Sequence, residues 1–292
     1  MKKSIKYFRN KLIGLITIIG YKIFSKIPLS INVKIGEFLG KVFFYFDKKN
    51  KYVAYRNIKK VFPQKDFEYT RCLVKKMFCE FGKNIFEFFC FERMKYILPK
   101  VVRFEGESLE LLKKLHFQGK GVLIFSGHFG NWELLGASLG LSGLPLAVIF
   151  RDSYIEEVNY LIKKLRTSVG EIVISRGGSE SLKNLLFSLR KGYLIGVLID
   201  QNISSVKNVN VPFLRLDAPT PISAVELAIK YKVPSVVGVI YRKDGIHNVK
   251  IVPIDEVFYT DKVKFVKKVN DILSEYIMKY PEQWVWIHNR WN

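Results

Sequence analysis

A histidine and a glutamate stand close together where one apolar segment ends and another begins. After the apolar run Gly121–Phe125 the chain reads Ser-Gly-His-Phe-Gly-Asn-Trp-Glu, from Ser126 to Glu133. Two residues five apart on one continuous helix would point roughly 140° away from each other, because each residue advances about 100°. We therefore predict that His128 precedes a helix whose first turn contains Glu133.

This arrangement suits general-base chemistry. A carboxylate at Glu133 can accept the proton on one imidazole nitrogen of His128, which leaves the other nitrogen free to take a proton from a hydroxyl. The pair is then the histidine and carboxylate part of a serine-protease triad, with a substrate alcohol in place of the serine. A structural histidine that caps a helix is the alternative interpretation.

The elements around this pair are typical of an α/β layered fold. From Val101 onward, short apolar runs alternate with amphipathic stretches, which predicts a central mixed sheet flanked by helices. The predicted strands are Val122–Phe125, Pro145–Phe150, Ile172–Ile174, Tyr193–Ile199, Pro234–Tyr241 and His247–Ile251. The predicted helices between them are Trp132–Leu141, Ile155–Ser168, Glu180–Arg190, Pro221–Tyr231 and Lys262–Tyr280.

The chain before this alternation has a different pattern. Residues 1–98 are predicted as a helical region, and residues 99–292 as the α/β core, most simply as one continuous domain. A basic start is followed by the apolar run Leu12–Gly20, which is short of the ~20 residues of a spanning helix and has no cleavage site after it. We expect an uncleaved membrane anchor or interfacial helix with its basic flank on the cytoplasmic side.

The composition indicates a polyanionic partner. The chain has 48 Lys and Arg against 26 Asp and Glu, a formal charge of +22 in 292 residues. Nucleic acid, anionic lipid and an acidic carrier protein all carry the complementary charge. The 23 Phe and 15 Tyr favour a membrane interface, where apolar surface lies beside positive charge.

The segment from Gly127 to Glu133 resembles the central motif of the lipid A biosynthesis late acyltransferases, the lauroyl and myristoyl transferases. The similarity runs from about residue 5 to the C-terminus, with further blocks in the family's order. These blocks are Phe150-Arg151, Asp200-Gln201-Asn202, Val211-Pro212-Phe213, Ala218-Pro219-Thr220 and the ending Pro281–Trp291.

The resemblance implies what the protein does and where. It implies an acyltransferase core with an N-terminal membrane helix, a fatty acyl group donated by an acyl carrier protein thioester, and a hydroxyl acceptor on a Kdo-bearing lipid A precursor. The expected place is the cytoplasmic face of the bacterial inner membrane. The family's catalytic pair corresponds to His128 and Glu133. No cofactor, metal or nucleic acid is expected.

Other polar residues follow the predicted strands. Arg151 is expected to steady the oxyanion of the thioester carbonyl or to hold a phosphate of the acceptor, with a salt bridge to Asp152 or Glu156 as the alternative. Arg176, in a glycine-rich turn before a helix, suits a phosphate. Asp200 is expected to orient Arg151 or another group of the cleft. The predicted substrate-binding residues are Asn131, Arg176, Asp200 and Gln201.

Several alternatives remain open at this point. The acceptor could be another glycolipid or a phospholipid, and the donor could be coenzyme A. His128, Glu133 and Asp200 could instead hold a metal in a lipid hydrolase. A non-catalytic basic protein that binds membrane or nucleic acid is a third class. Because no Gly-x-Ser-x-Gly elbow follows a predicted strand, direct transfer without an acyl-enzyme is preferred.

Overall fold

The computed structural model describes residues 2–291, and helices fill the first third of that range. These helices are α1 (Lys2–Phe24), α2 (Leu29–Phe46), α3 (Lys48–Val61), α4 (Phe67–Phe88) and α5 (Met94–Val101), with a short 3-10 helix at Phe91–Arg93. Asp47 and Asp66 cap α3 and α4, because their carboxylates accept from the amides of Asn50 and Tyr69. No helix in residues 2–291 is both long enough and apolar enough to cross a membrane.

Glycines bring α2 and α4 into close contact. A Cβ atom placed on Gly36 would lie 2.5 Å from the carbonyl oxygen of Gly82, so the two backbones touch where a larger residue would separate them. This pair of helices also contributes to the main apolar core, in which Phe44 and Met77 cluster with sheet residues such as Phe125. The division of the chain near residue 99 stays a prediction.

Nine strands lie in two sheets within the described range. They are β1 (Val102–Phe104), β2 (Val122–Ser126), β3 (Leu146–Phe150), β4 (Glu171–Ser175), β5 (Leu194–Leu198), β6 (Asn208–Phe213), β7 (Leu216–Pro221), β8 (Ser235–Lys243) and β9 (Ile246–Pro253). The main sheet has seven strands in the order β1-β9-β8-β2-β5-β3-β4. Only β8 and β9 pair antiparallel within it, so the sheet is mixed, as the sequence predicted.

The remaining helices flank this sheet. They are α6 (Ser108–His116), α7 (Trp132–Gly140), α8 (Glu156–Ser168), α9 (Gly178–Arg190), α10 (Ser223–Tyr231) and α11 (Lys262–Lys279), with 3-10 helices at Glu256–Thr260 and Pro281–Gln283. Each predicted strand is present with ends within two residues of the expected ones. The sequence missed β1, which is three residues long, and the β6–β7 hairpin, whose prolines hid its strand character.

The strand order determines which loops meet. Strands β2, β5, β3 and β4 are neighbours and run parallel, so their carboxyl ends lie along one edge of the sheet. The residues that follow these four ends are His128, Asp200, Arg151 and Arg176. Parallel sheets place their functional groups at this edge, which is therefore the candidate site.

Candidate active site

The loop that carries His128 is held by the C-terminal segment of the chain. It connects β2 to α7, so His128 precedes the helix and Glu133 lies in its first turn, as expected. The Gly130 amide donates to the carbonyl of Gln283 at 2.9 Å, and the Val285 amide donates to the carbonyl of His128 at 3.1 Å. These two backbone bonds fix the position of the imidazole relative to the sheet.

Asp200 is the carboxylate that orients His128. It is 1% exposed, and its Oδ1 lies 2.8 Å from the imidazole Nδ1. Its Oδ2 accepts from the His128 backbone amide at 2.7 Å and from the Trp284 indole at 2.8 Å. The Gln201 amide nitrogen lies 3.3 Å from Nε2. With Nδ1 engaged by Asp200, Nε2 is the nitrogen that can take a proton from a hydroxyl.

The environment of Asp200 keeps this carboxylate ionised. Burial by itself would raise the pKa of Asp200, but the positive charge of a protonated His128 and hydrogen bonds from His128 and Trp284 outweigh it and hold the pKa at about 2. An ionised carboxylate only accepts, which suits three donors at once. The sequence expected Asp200 to orient Arg151 or another group, and the group it orients is His128.

Glu133 does not contact the imidazole. Arg166 on α8 binds its carboxylate with two hydrogen bonds, from Nε at 2.9 Å and from Nη2 at 2.7 Å. The expected contact between Glu133 and His128 is therefore corrected, because a side chain in the first turn of α7 points to α8 while β5 brings Asp200 beside β2. The link that remains is Trp132, whose indole donates to Glu133 at 3.1 Å and whose ring lies 5.1 Å from the imidazole, edge to face.

An apolar slot lies behind this loop, between the main sheet and α7. It encloses about 60 Å³. Glu133, Arg166 and Glu171 are its charged lining residues. The apolar slot is lined otherwise by Ile124, Ser126, Trp132, Leu135, Gly136, Leu139, Leu146, Val148, Ile149, Gly196, Val197 and Leu198.

Two carboxylates share one guanidinium in this slot. Glu171 is 3% exposed, and its Oε2 lies 4.0 Å from Nε of Arg166, which is already bound by Glu133. Burial, followed by the negative charge of Glu133, raises the pKa of Glu171 to about 8, although Arg166 opposes the shift. Burial and the neighbouring charge of Glu133 therefore both favour the protonated form of Glu171.

Glu171→Gln is expected to flatten the pH dependence of stability. The pKa of Glu171 is about 8 in the folded protein against an ordinary 4.5, so between these values the folded state keeps a proton that the unfolded chain has released. Stability then falls as the pH rises through this window, and glutamine removes that loss. Urea unfolding should show a gain for the variant of about 1–3 kcal/mol near pH 8 and almost none near pH 4. Equal gains at both pH values would contradict this assignment.

The two predicted arginines lie at the neighbouring strand ends. Arg151 is exposed and makes no salt bridge within residues 2–291; Asp152 pairs with Lys163 at 2.8 Å. Arg176 Nη2 lies 3.4 Å from the Ser205 hydroxyl. Burial, and then the positive charge of Arg151, lowers the pKa of Arg176. Within residues 2–291 neither guanidinium group pairs with a carboxylate, and both follow neighbouring strands, which favours an anionic ligand.

Comparison with known proteins identifies the family. The whole chain, residues 1–292, matches the family described as bacterial lipid A biosynthesis acyltransferase. The chain belongs to this family. The resemblance to this family, which was inferred from the blocks around His128, Asp200 and the C-terminal segment, is therefore confirmed.

Individual relatives agree with this assignment. The chain is 25% identical over 271 residues to the lipid A biosynthesis palmitoleoyltransferase of Escherichia coli K12, which covers 91% of this chain and 86% of that protein. A Shigella flexneri lipid A biosynthesis acyltransferase gives the same values. The lipid A biosynthesis lauroyltransferase of Escherichia coli K12 is 21% identical over 272 residues, with the same coverage.

In this member of the acyltransferase family, Asn131 is committed to the protein itself. It is buried, its Oδ1 accepts from the Leu134 amide at 3.0 Å, and its Nδ2 donates to Glu87 at 2.6 Å. The expected substrate-binding role is corrected, because these two contacts within the protein occupy both ends of the side chain. Glu87 is held in turn by Arg242 at 2.7 Å and by His247 at 3.0 Å.

Three supporting residues of the acyltransferase had no predicted role. Trp284 lay in a matched block, but nothing in the sequence connected its indole to Asp200. Arg166 lies in the predicted helix Ile155–Ser168, but nothing in the sequence connected it to Glu133. The sequence did contain a signal that Glu87 has a structural role, because it is an isolated acidic residue between Phe86 and Phe88. A charged residue in an apolar helical run requires a buried partner.

Proposed function

We propose that this protein transfers a fatty acyl group from an acyl carrier protein thioester to a hydroxyl of a lipid A precursor, at the cytoplasmic face of the bacterial inner membrane. The observation that carries the proposal is the His128 imidazole, oriented by Asp200 beside an apolar slot. The names of the relatives support lipid A as the acceptor class. The carrier protein remains part of the proposal because an acidic donor suits a chain of charge +22.

The proposed reaction is a direct transfer in a ternary complex. Nε2 of His128 removes the proton from the acceptor hydroxyl as its oxygen attacks the thioester carbonyl. The C–O bond forms, the C–S bond breaks, and the imidazolium returns its proton to the departing thiolate. Asp200 stays ionised and stabilises the imidazolium, and general-base assistance of this kind contributes typically about 10²- to 10⁴-fold in rate.

Glu133 enters this mechanism as a positioning residue. Its carboxylate holds the indole of Trp132, which packs against the imidazole, and its pairing with Arg166 keeps that charge beside the slot. Arg151, with nearby backbone N–H groups, is proposed to stabilise the oxyanion. Arg176 and the start of α9 are proposed to bind a phosphate of the acceptor. Gln201 is proposed to contact the reacting hydroxyl, since its amide lies beside Nε2.

The acyl chain is proposed to enter the apolar slot beside α7. Trp132 lines the slot, and its ring also packs against the imidazole at 5.1 Å. A thioester carbonyl near His128 would then direct its hydrocarbon away from water, along the sheet. Burial of each methylene contributes about 0.8 kcal/mol to binding, so even a partly buried chain would be held firmly.

Helices α1 and α2 are proposed to attach the enzyme to the membrane surface. α1 exposes an apolar stripe of Phe8, Leu12, Leu15, Ile16, Ile19 and Ile23, while Lys11 at the border of this stripe pairs with Glu157 of α8 at 2.8 Å. Along α2, exposed apolar and basic side chains alternate at helical spacing: Ile31, Lys34, Phe38, Lys41 and Tyr45, and the exposed Lys48 follows at the start of α3. Apolar side chains beside lysines are typical of interfacial attachment to anionic lipid.

Replacing Lys34, Lys41 and Lys48 by glutamine is expected to weaken binding to vesicles of mixed phosphatidylglycerol and phosphatidylcholine by about 10²-fold, because each basic residue near an anionic surface contributes about 1 kcal/mol. Flotation of vesicles measures the bound fraction. The matched control changes Lys114, Lys120 and Lys191, which are also exposed and precede the amino ends of β2 and β5, away from α2 in the sequence and opposite to the edge that carries His128. Equal losses in both triple variants would overturn the proposed membrane face.

Mass spectrometry of the lipid product tests the donor and the acceptor together. The protein is incubated with a lipid A precursor and an acyl carrier protein thioester, and separately with a coenzyme A thioester or a lysophospholipid acceptor. We expect one added acyl mass on the lipid A precursor with the carrier thioester, unchanged by a chelator. Transfer only to the lysophospholipid would replace the acceptor, and hydrolysis abolished by the chelator would replace the reaction.

A further inference from the structure

An acidic side chain crosses the apolar slot behind α7. Glu171 is the first residue of β4 and pairs with Leu146, the first residue of β3, so it enters from the edge of the sheet opposite to His128. Its carboxyl group extends to the helix, because a Cβ atom on Gly136 would lie 2.5 Å from its Oε1. The side chain therefore spans the slot from the sheet to α7.

This carboxyl group divides the lining of the slot in two. Ser126 and Trp132 line the end near the imidazole, at the carboxyl end of β2 and the start of α7. Leu139 and Leu146 line the other end, at the last turn of α7 and the start of β3. A chain that enters beside His128 would meet the carboxyl group before it reached these two leucines.

The position of Glu171 is not explained by the stability of the fold. Its Oε1 is buried without a hydrogen-bond partner in residues 2–291, and Oε2 is only within 4.0 Å of Arg166. An unpaired buried polar group destabilises a protein, so an apolar residue here would serve the fold better. A residue that lowers the stability of the fold and lies across a ligand cavity is a candidate for a residue that selects the substrate.

We propose that Glu171 closes the apolar slot and so determines the length of the acyl chain that the enzyme transfers, with Gly136 leaving the space that the carboxyl group occupies. This inference rests on the proposed acyl transfer. The acyl chain ends against the carboxyl group, and longer chains are rejected because they would have to displace it.

Three variants test this proposal: one enlarges the free volume of the slot, one leaves it unchanged and one reduces it. Glu171→Ala removes the obstruction and opens the slot toward Leu139 and Leu146. Glu171→Gln keeps the volume and a neutral end group, and is the matched control. Gly136→Ala adds a methyl group 2.5 Å from the present position of Oε1, so the carboxyl group must shift into the slot. The pairing of Glu133 with Arg166 is left in place by all three.

The experiment is a competition among saturated acyl carrier protein thioesters of graded length, supplied at equal concentration with a lipid A precursor. Mass spectrometry of the product gives the preferred length for each variant. Relative to wild type, Glu171→Ala should shift the preference to longer chains, with about a fourfold gain in kcat/KM for each further methylene that becomes buried. Glu171→Gln should keep the wild-type preference, and Gly136→Ala should shift it to shorter chains.

The outcomes distinguish a failure of the proposed role of Glu171 from a failure of the proposed acyl transfer. Transfer with an unchanged preference in Glu171→Ala and Gly136→Ala would overturn the role of Glu171 while leaving acyl transfer intact. A preference that changes equally in Glu171→Gln would also overturn it, because volume would not be the cause. No transfer by the wild type with any chain would overturn the proposed function, and this inference with it. If Glu171→Ala fails to fold, the chain-length preference of Gly136→Ala tests the role of Glu171 by itself.

Discussion

Alanine at position 128 is expected to lower the rate of acyl transfer by at least about 10³-fold while the protein stays folded. The imidazole supplies both the base for the acceptor hydroxyl and the proton for the departing thiolate, and Asp200 orients it for both steps. The imidazole is 22% exposed, so its removal leaves a small gap that water can fill. The measurement is the initial rate of product formation, with circular dichroism to confirm folding.

The matched control is His116→Ala. That imidazole hydrogen-bonds to the carbonyl of Gly192 at 2.8 Å, close to the amino end of β5 and away from the site. We expect a rate within a few-fold of wild type, since substitutions away from a site usually have small effects. A His128→Ala enzyme that kept a tenth or more of the wild-type rate would remove His128 as the base.

Asparagine in place of Asp200 is expected to lower kcat by about 10³- to 10⁴-fold with little change in KM. The carboxylate accepts from the His128 amide, the His128 ring and the Trp284 indole, and an amide cannot accept at both of its ends. The imidazole then loses the partner that sets its tautomer and that stabilises its charged form. Steady-state kinetics separates kcat from KM.

Trp284→Phe provides a graded comparison for Asp200→Asn. It removes one of the three donors to Asp200 and keeps an aromatic ring, so we expect a reduction of only about tenfold. The opposite ranking would contradict the assigned role of Asp200. If Asp200→Asn were nearly as active as wild type while Glu133→Gln lost all activity, the carboxylate that serves His128 would be Glu133, as the sequence first suggested.

The local features of the site could be predicted from the sequence because they depend on neighbours along the chain. The apolar run before Ser126, the glycines beside His128 and the apolar helix after Trp132 place the imidazole in a loop at a strand end. The same logic located Arg151 and Asp200 at the ends of their strands. Hydrophobic periodicity and loop composition act over a few residues, so they are visible without a structure.

The partner of the imidazole could not be predicted, because it depends on strand order. Asp200 lies 72 residues from His128 in the chain and comes beside it only because β5 pairs with β2. Glu133 is near His128 in sequence, yet the direction of its side chain on α7 takes it to Arg166. Trp284 depends on the path of the C-terminal segment under the loop. Such contacts follow from the packing of distant elements, and one sequence does not contain that information.

The role of His128 in acyl transfer is tested by the mass of a purified lipid A precursor after incubation with an acyl carrier protein thioester and either wild type or His128→Ala. We expect one added acyl group with the wild type, and its loss with the variant at equal protein concentration. An acyl group added equally by both proteins, or a precursor left unmodified by folded wild type, would contradict the claim that His128 catalyses acyl transfer to lipid A.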